Sequence, residues 1–467
     1  MAGIESMPKG QMLGPLRGHG ASGGSAFTPV IHLNAAGAAL RSTATTAKML
    51  EFLDMETKLG AYEMVSTYGK EDMERPYREL ATLLGCEPEE VSIVCSATEA
   101  WNELINGLAW KLFSEGAGIV TSITEYGSNY LTYLQLKERF KVSIHVVGER
   151  DGDVDVDELE RLIQEKDNVV LISLPHVPTN SGRVYDVARV GEVARRHGVL
   201  FLLDGCQSVG QIEVDVGEIG CDMLTGTSRK WLRGPRGCGF LYCSARCRQM
   251  FEPATIDVHS AVLSDDQDSY AIDRRSRMFE KYEMSFAAKA GLGVAVAELN
   301  KLGIRNVEAR VTMLASNLRT LLGTVVGVKV EDRGSRLCGI VSFSVEGGDG
   351  ETAQARTERL FAALGAAGTY RRWFARFVSF RYIAGRRFVG GHSCLLSPTP
   401  RSDSRSLVSP GFSVSISRRT STLIDMSQRG IECVIRVSPH VYNSEHELRR
   451  LVDEVRADVG RLVLPLD

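Results

Sequence analysis

Between Ile31 and Cys243, short β-branched and aliphatic runs alternate with helical stretches, and this alternation restricts the chain to few architectures. The runs are "VSIVCSA", "AGIVTS", "VSIHVVG", "VVLISLPHV", "VLFLLDG", "DMLTGTS" and "GCGFLYC". Strands that alternate with helices form a mainly parallel sheet, doubly wound, with helices on both faces. The fold class is therefore α/β, with a large domain built on seven strands. In such a sheet, ligands sit beyond the carboxyl ends of the strands, so the residues just after each run are the ones that matter for chemistry.

Those residues are polar in every case. "VSIVCSA" leads into "SATEAWNE", where Thr98 opens a helix whose free amides suit an anion. "AGIVTS" ends in "ITEYGSN", "VVLISLPHV" in "PTNSG" and "VLFLLDG" in "DGCQSVGQ". Each is an ordinary cap or turn taken alone, since Asp, Asn and Thr are common there. Together they converge on one rim. The loop "TGTSRKWLRGPRG" adds Lys230 among hydroxyls, arginines and glycines. Such a lysine is either a solvated loop residue or an amine held beside an anion and a carbonyl compound. A nucleotide-binding P-loop is excluded, because Lys230 has no glycine before it and no Ser or Thr after it.

With 467 residues and a formal charge of -3, the chain has room for two or three domains and no general pull toward nucleic acid or an anionic membrane. No apolar run approaches the roughly 18 residues of a membrane span. The first 30 residues lack the apolar block of a secretory signal, are rich in glycine and read as a flexible arm. Ten cysteines occur without a CxxC pair, and Cys243 with Cys247 has no nearby histidine partner, which argues against zinc; several cysteines in apolar runs read as a reduced, cytoplasmic protein.

The motifs "SATEAWN", "EYGSN", "HVPTNSG", "DGCQSVGQ" and "TSRKWLRGPRGCGFLY", in that order, resemble the class V aminotransferases. This is the pyridoxal-phosphate (PLP) family that includes cysteine desulfurases and isopenicillin N epimerase. The resemblance implies PLP as cofactor and fold type I, with a large PLP-binding domain at 31–290 and a small α+β domain at 291–467. It implies Lys230 as the Schiff-base lysine and general base, with Arg229 and Arg233 supplying a field that favours the neutral amine. Asp204 is implied at the pyridine nitrogen, where a charge deepens the cofactor's electron sink. Gln207 and Asn180 are implied near the ring hydroxyl, and Tyr126 as the aromatic group stacking on the ring. Ala97, Thr98, Thr227 and Arg229 match the phosphate cradle, and Ser285 a phosphate contact donated by the other subunit of a homodimer. Arg436, in "CVIRVSPHVYN", matches the arginine that grips the α-carboxylate of an amino-acid substrate.

The sequence departs from the family in two places. Desulfurases with a short loop carry a thiol about fifteen residues before that arginine, and here the position is Ser421. From 368 to 410 a segment with eight arginines, no lysine and one acid, Asp403, interrupts the small domain. Removing it joins "LGAAG" to "FSVSISRR", so it reads as an intron translated in frame, with a basic insertion as the rival reading. It contains Cys394, the residue on which desulfurase chemistry would depend. The reading that follows is an enzyme acting on an amino acid by C–S lysis, β-elimination or transamination. Desulfurase or epimerase activity is the alternative, and a catalytically inactive scaffold the reading outside catalysis.

Overall fold

In the computed structural model, the structure describes residues 30–113, 116–166, 168–348, 350–365 and 411–463. The N-terminal arm and the basic segment with Cys394 lie outside the described residues. All seven runs form strands of one sheet: β1 (Val91–Val94), β2 (Gly118–Ser122), β3 (Ser143–Val147), β4 (Val169–Pro175), β5 (Leu200–Asp204), β6 (Met223–Thr227) and β7 (Gly239–Cys243). Their order is β1-β7-β6-β5-β4-β2-β3. Only β7 runs against its neighbours; every other pairing in the sheet is parallel. The antiparallel strand is "GCGFLYC", which follows β6 through the Lys230 loop without a helical crossover.

Side-chain alternation divides the strands between two cores. Val120, Ile172, Leu203, Leu224 and Phe240 face one layer. Ile119, Leu171, Leu202, Met223 and Leu241, their chain neighbours, face the other. Burying each such side chain stabilises the fold by about 1.5–3 kcal/mol. Two covered faces explain why the runs read as continuously apolar.

Two helices begin at the rim. Helix α1 (Ala97–Leu112) follows β1 and starts one residue before Thr98, because the Ser96 hydroxyl accepts from the Glu99 amide at 3.1 Å and caps it. Helix α2 (Gly127–Phe140) follows β2, with Tyr126 at its cap position. Helix α3 (Phe286–Leu302) packs outside the sheet, and its cap is Ser285.

A second sheet of four antiparallel strands contains β8 (Val328–Val330), β9 (Val341–Val345), β10 (Ser415–Arg418) and β11 (Cys433–Val437), in the order β8-β9-β11-β10. Its core joins Phe343 and Ile435 to Leu314, Leu360 and Val455 from three helices. A short strand, Ile31–His32, pairs in parallel with Phe412–Ser413 and buries Ile31 and Leu33 in that same core. Among the described residues no helix is long and apolar enough to cross a membrane.

Candidate active site

The carboxyl ends of β1, β2, β5 and β6 enclose a cavity of about 270 Å³. Ala97 and Thr98 line it from the start of α1, and Tyr126 from the start of α2. Asp204, the last residue of β5, lines it with Gln207; Thr227, Arg229 and Lys230 line it from the end of β6. Asp204 and Thr225 are register partners in adjacent strands, which is why the acid and the lysine loop meet at one rim.

Lys230 is fixed by its own loop. The Arg233 amide donates to the Lys230 carbonyl at 3.1 Å and the Gly234 amide to the Ser228 carbonyl at 2.8 Å. Arg233 lies in the left-handed region at φ 58°, the sharp reversal of this turn. Trp231, fully buried, donates from Nε1 to Gln207 Oε1 at 2.9 Å. Gly210 at φ 100° passes so close that a Cβ there would stand 2.7 Å from the Trp231 carbonyl carbon. Burial is the main cause that lowers the Lys230 pKa; Cys206 and Asp204 oppose it, and Arg229 and Arg436 add to it. The amine is thereby biased toward its neutral, nucleophilic form.

Asp204 is 8% exposed and anchored at both oxygens. Oδ1 accepts from the Cys206 amide at 2.9 Å, and Oδ2 from Asn129 Nδ2 at 3.1 Å. Gln207 donates to the Ala36 carbonyl at 3.2 Å and the Thr179 hydroxyl at 3.3 Å while accepting from Trp231, so its amide braces three segments. The Arg229 guanidinium donates to the Gly37 carbonyl. Tyr126 is 39% exposed, a rim residue rather than a core tyrosine.

The other three expected residues stand apart from the lining. Asn180 is buried, donates to Thr422 Oγ1 at 2.9 Å, and has no partner at Oδ1 among the described residues. The Ser285 hydroxyl caps α3, accepting from the Ala288 amide at 3.2 Å. Arg436 on β11 is 8% exposed and reaches the rim through Thr179, donating to its carbonyl at 2.8 Å and its hydroxyl at 3.0 Å. Burial brings the Arg436 pKa down to about 10. Thr179 and Cys206 also line the cavity, although sequence reasoning gave neither a role. They lie inside the quoted "PTNSG" and "DGCQ" motifs, and strand-end position was the signal for both.

The turn containing Ser421 packs over the start of α2. A Cβ on Gly127 would lie 2.5 Å from the Thr420 carbonyl oxygen, so a glycine is needed there. The Asp425 amide also donates to the Ile123 carbonyl at 3.1 Å. Ser421, at the position where the resemblance places the thiol of short-loop desulfurases, thus lies beside Gly127, the residue after Tyr126.

A lysine amine and a carboxylate on neighbouring strand ends of a doubly wound sheet suit pyridoxal phosphate, whose aldehyde takes an amine and whose ring nitrogen pairs with an anion. Residues 31–359 match the family model described as aminotransferase class-V, and the chain belongs to that family of PLP-dependent enzymes. It is 28% identical over 323 residues to a probable cysteine desulfurase of Methanothermobacter thermautotrophicus, covering 68% of this chain and 79% of that protein. It is 33% identical over 212 residues to the cysteine desulfurase IscS of Pseudomonas syringae, where the match spans 44% of this chain and about half, 52%, of the relative. Among solved structures, the apo cysteine desulfurase of Thermococcus onnurineus superposes with a TM-score of 0.73 at 21% identity, over 92% of this chain and 95% of that one. The cystine C-S lyase C-DES, in complex with its product cysteine persulfide, gives 0.70 at 18% identity, over 91% of this chain and 97% of that one. These two likenesses establish the shared fold.

Proposed function

We propose that this protein cleaves a carbon–sulfur bond of a cysteine-like amino acid, with PLP bound through Lys230. The observation that carries the reading is the pairing at the cavity of a desolvated amine, Lys230, with an anchored acid, Asp204. The residues present fit the cofactor. The first turn of α1 with Ala97 and Thr98, together with Thr227 and Arg229, would hold its phosphate. Asp204 would keep the ring nitrogen protonated, Tyr126 would cover the ring, and Gln207 and Asn180 would stand near the hydroxyl edge. The unpartnered Asn180 Oδ1 is consistent with a bound polar group there. When bound, PLP supplies an aldehyde for an amine and a ring that takes up electrons released at the substrate Cα.

The protein's own groups do the rest. Lys230 Nζ, biased by burial toward its neutral form, would take the proton from the substrate Cα and pass it to the sulfur as the Cβ–S bond breaks. Arg436, held by Thr179 and by Ser415 Oγ at 3.1 Å, would grip the α-carboxylate with its fork. Lysis is preferred to persulfide-forming desulfuration because the described thiols at the cavity are poor nucleophiles. Burial pushes Cys238 up to about 12, and both Cys206 and Cys95 are raised above the ordinary thiol value. Desulfuration is the second reading, favoured by the names of the relatives, and it would rest on Cys394.

The division into domains at 31–290 and 291–467 belongs to this proposal, as does a homodimer. Leu50, Leu53, Tyr62, Tyr68 and Tyr282, all at least 48% exposed, are apolar surface that a second copy could cover, and Ser285 would then reach the partner's phosphate. A cytoplasmic location is supported by the nine described cysteines, all free. The test is an absorbance scan of purified protein with PLP, followed by a panel of amino acids assayed for pyruvate and sulfide. We expect a near-visible band lost in Lys230→Ala, and pyruvate with sulfide from sulfur-containing substrates. Unchanged sulfur release in Cys394→Ala would exclude the desulfurase reading.

A further inference from the structure

Beside Asp204 stands a second buried acid. Glu125 is 3% exposed and follows β2, immediately ahead of Tyr126. Its Oε1 accepts from the Tyr126 amide at 2.7 Å and from Asn129 Nδ2 at 3.0 Å. Its Oε2 accepts from the Thr121 hydroxyl at 2.8 Å and the Tyr133 hydroxyl at 3.1 Å. Four donors on two oxygens fill the acceptor capacity of a carboxylate, an arrangement that suits the ionised form. The same Asn129 nitrogen lies 3.1 Å from Asp204 Oδ2, so its two hydrogens bridge the two acids. The reversed amide would set its oxygen against both carboxylates, so charge fixes the orientation.

We propose that Glu125, acting through Asn129, is a positioning residue for Asp204: the amide clamp fixes the Asp204 carboxylate, and the Glu125 charge reinforces it toward a cationic ring nitrogen. The inference rests on the PLP reading above. The titratable groups facing Glu125 are Asp204 from β5 and Tyr133 from α2; burial and Glu125 hold the Tyr133 pKa well above its ordinary value, so it remains a neutral donor. Burial first, and the Asp204 charge second, push Glu125 up to about 7, against the lowering effect of bonds from Thr121, Asn129 and Tyr126. A cation opposite Asp204 relieves the second cause. It leaves the first unchanged, since Glu125 is already out of water.

The sign follows by linkage. Cofactor binding lowers the proton affinity of Glu125, so ionised Glu125 raises affinity for the cofactor by the same factor. This contribution is present above about pH 7 and lost as pH falls through that value.

The test is a PLP titration of the full chain after cofactor removal, read by tryptophan fluorescence from pH 6 to pH 8.5, for wild type, Glu125→Gln and Tyr133→Phe. At pH 8, Glu125→Gln should bind PLP roughly tenfold more weakly, the equivalent of one pKa unit of coupling, with the gap closing by pH 6. Tyr133→Phe removes a donor to the ionised form and should move the wild-type step to higher pH. Equal affinities for wild type and Glu125→Gln across the range overturn the proposal. A loss by one constant factor at every pH overturns it too, because that is a purely structural effect. If Glu125→Gln lacks a cooperative melt, Tyr133→Phe decides: a shifted step supports the proposal and an unmoved one overturns it. Wild-type protein that binds no PLP defeats the parent reading itself, a result distinct from all of these.

Discussion

In the proposed reading Lys230 would act through surroundings that disfavour a charged amine, and Arg436 through its planar fork. Replacing Arg436 with Lys keeps the charge but loses the paired donors, so KM for an amino-acid substrate should rise roughly tenfold to a hundredfold with kcat less affected. Steady-state kinetics on the substrate found in the panel checks this; an unchanged KM would remove Arg436 from the substrate site. Replacing Asp204 with Asn would remove the anion proposed to face the ring, and kcat should fall on the order of a hundredfold or more, as when another preorganised electrostatic partner is removed. At this scale the sequence was informative where a residue sits at a strand end, as Asp204, Tyr126 and Lys230 do. It was silent on Glu125 and Asn129, which matter through a hydrogen-bond bridge. Their i,i+4 spacing across the start of α2 was visible, but the nearness of that turn to β5 depends on sheet order.

The elements around the site are locked to one another by close approaches and stacked rings. His440 stacks on Tyr442 at 5.3 Å and on Trp231 at 5.7 Å, and its Nε2 lies 3.0 Å from the Trp231 carbonyl. Val441 donates to its Nδ1 at 2.8 Å, so the neutral ring donates from Nε2. Burial brings its pKa down to about 3, and that of His176, also buried, to about 3. Between pH 6.5 and pH 3 the unfolded chain therefore binds protons that these two rings refuse when folded, and stability falls with pH by about 1.4 kcal/mol per unit for each. Glu125, raised to about 7, works in the opposite direction and offsets part of the slope. Thermal melts from pH 7 to pH 4.5 should show His440→Gln losing less stability on acidification than wild type. Parallel curves would contradict the assignment. Gly127→Val should displace the Ser421 turn and lower stability by about 1–3 kcal/mol, as overpacking does. The strands themselves were legible because each is a short apolar run. The start of α1 was misread by one residue, since Ser96 competes with Thr98 as a cap and only backbone geometry decides between them.

Across the whole molecule, the described core closes around the two ends of the basic segment 368–410. Phe412, just after it, shares a core with Leu360 and Leu364, just before it, so the two ends are already held together. A chain lacking 368–410 should melt within about 2 °C of the full chain and keep the PLP band, since every described core residue is kept. A large drop would show that the segment packs on the core. The large sheet with helices on both faces was readable from the alternation of apolar runs with helical stretches. The parallel pairing of Ile31–His32 with Phe412–Ser413 was not, because contacts across nearly the whole chain leave no local pattern. The central claim is a covalent bond between the cofactor and one nitrogen, and borohydride reduction of the PLP-loaded protein followed by peptide mapping tests it most directly. The account predicts a pyridoxyl group on the peptide carrying Lys230; a map with that lysine unmodified, or with the label on another residue, would contradict it.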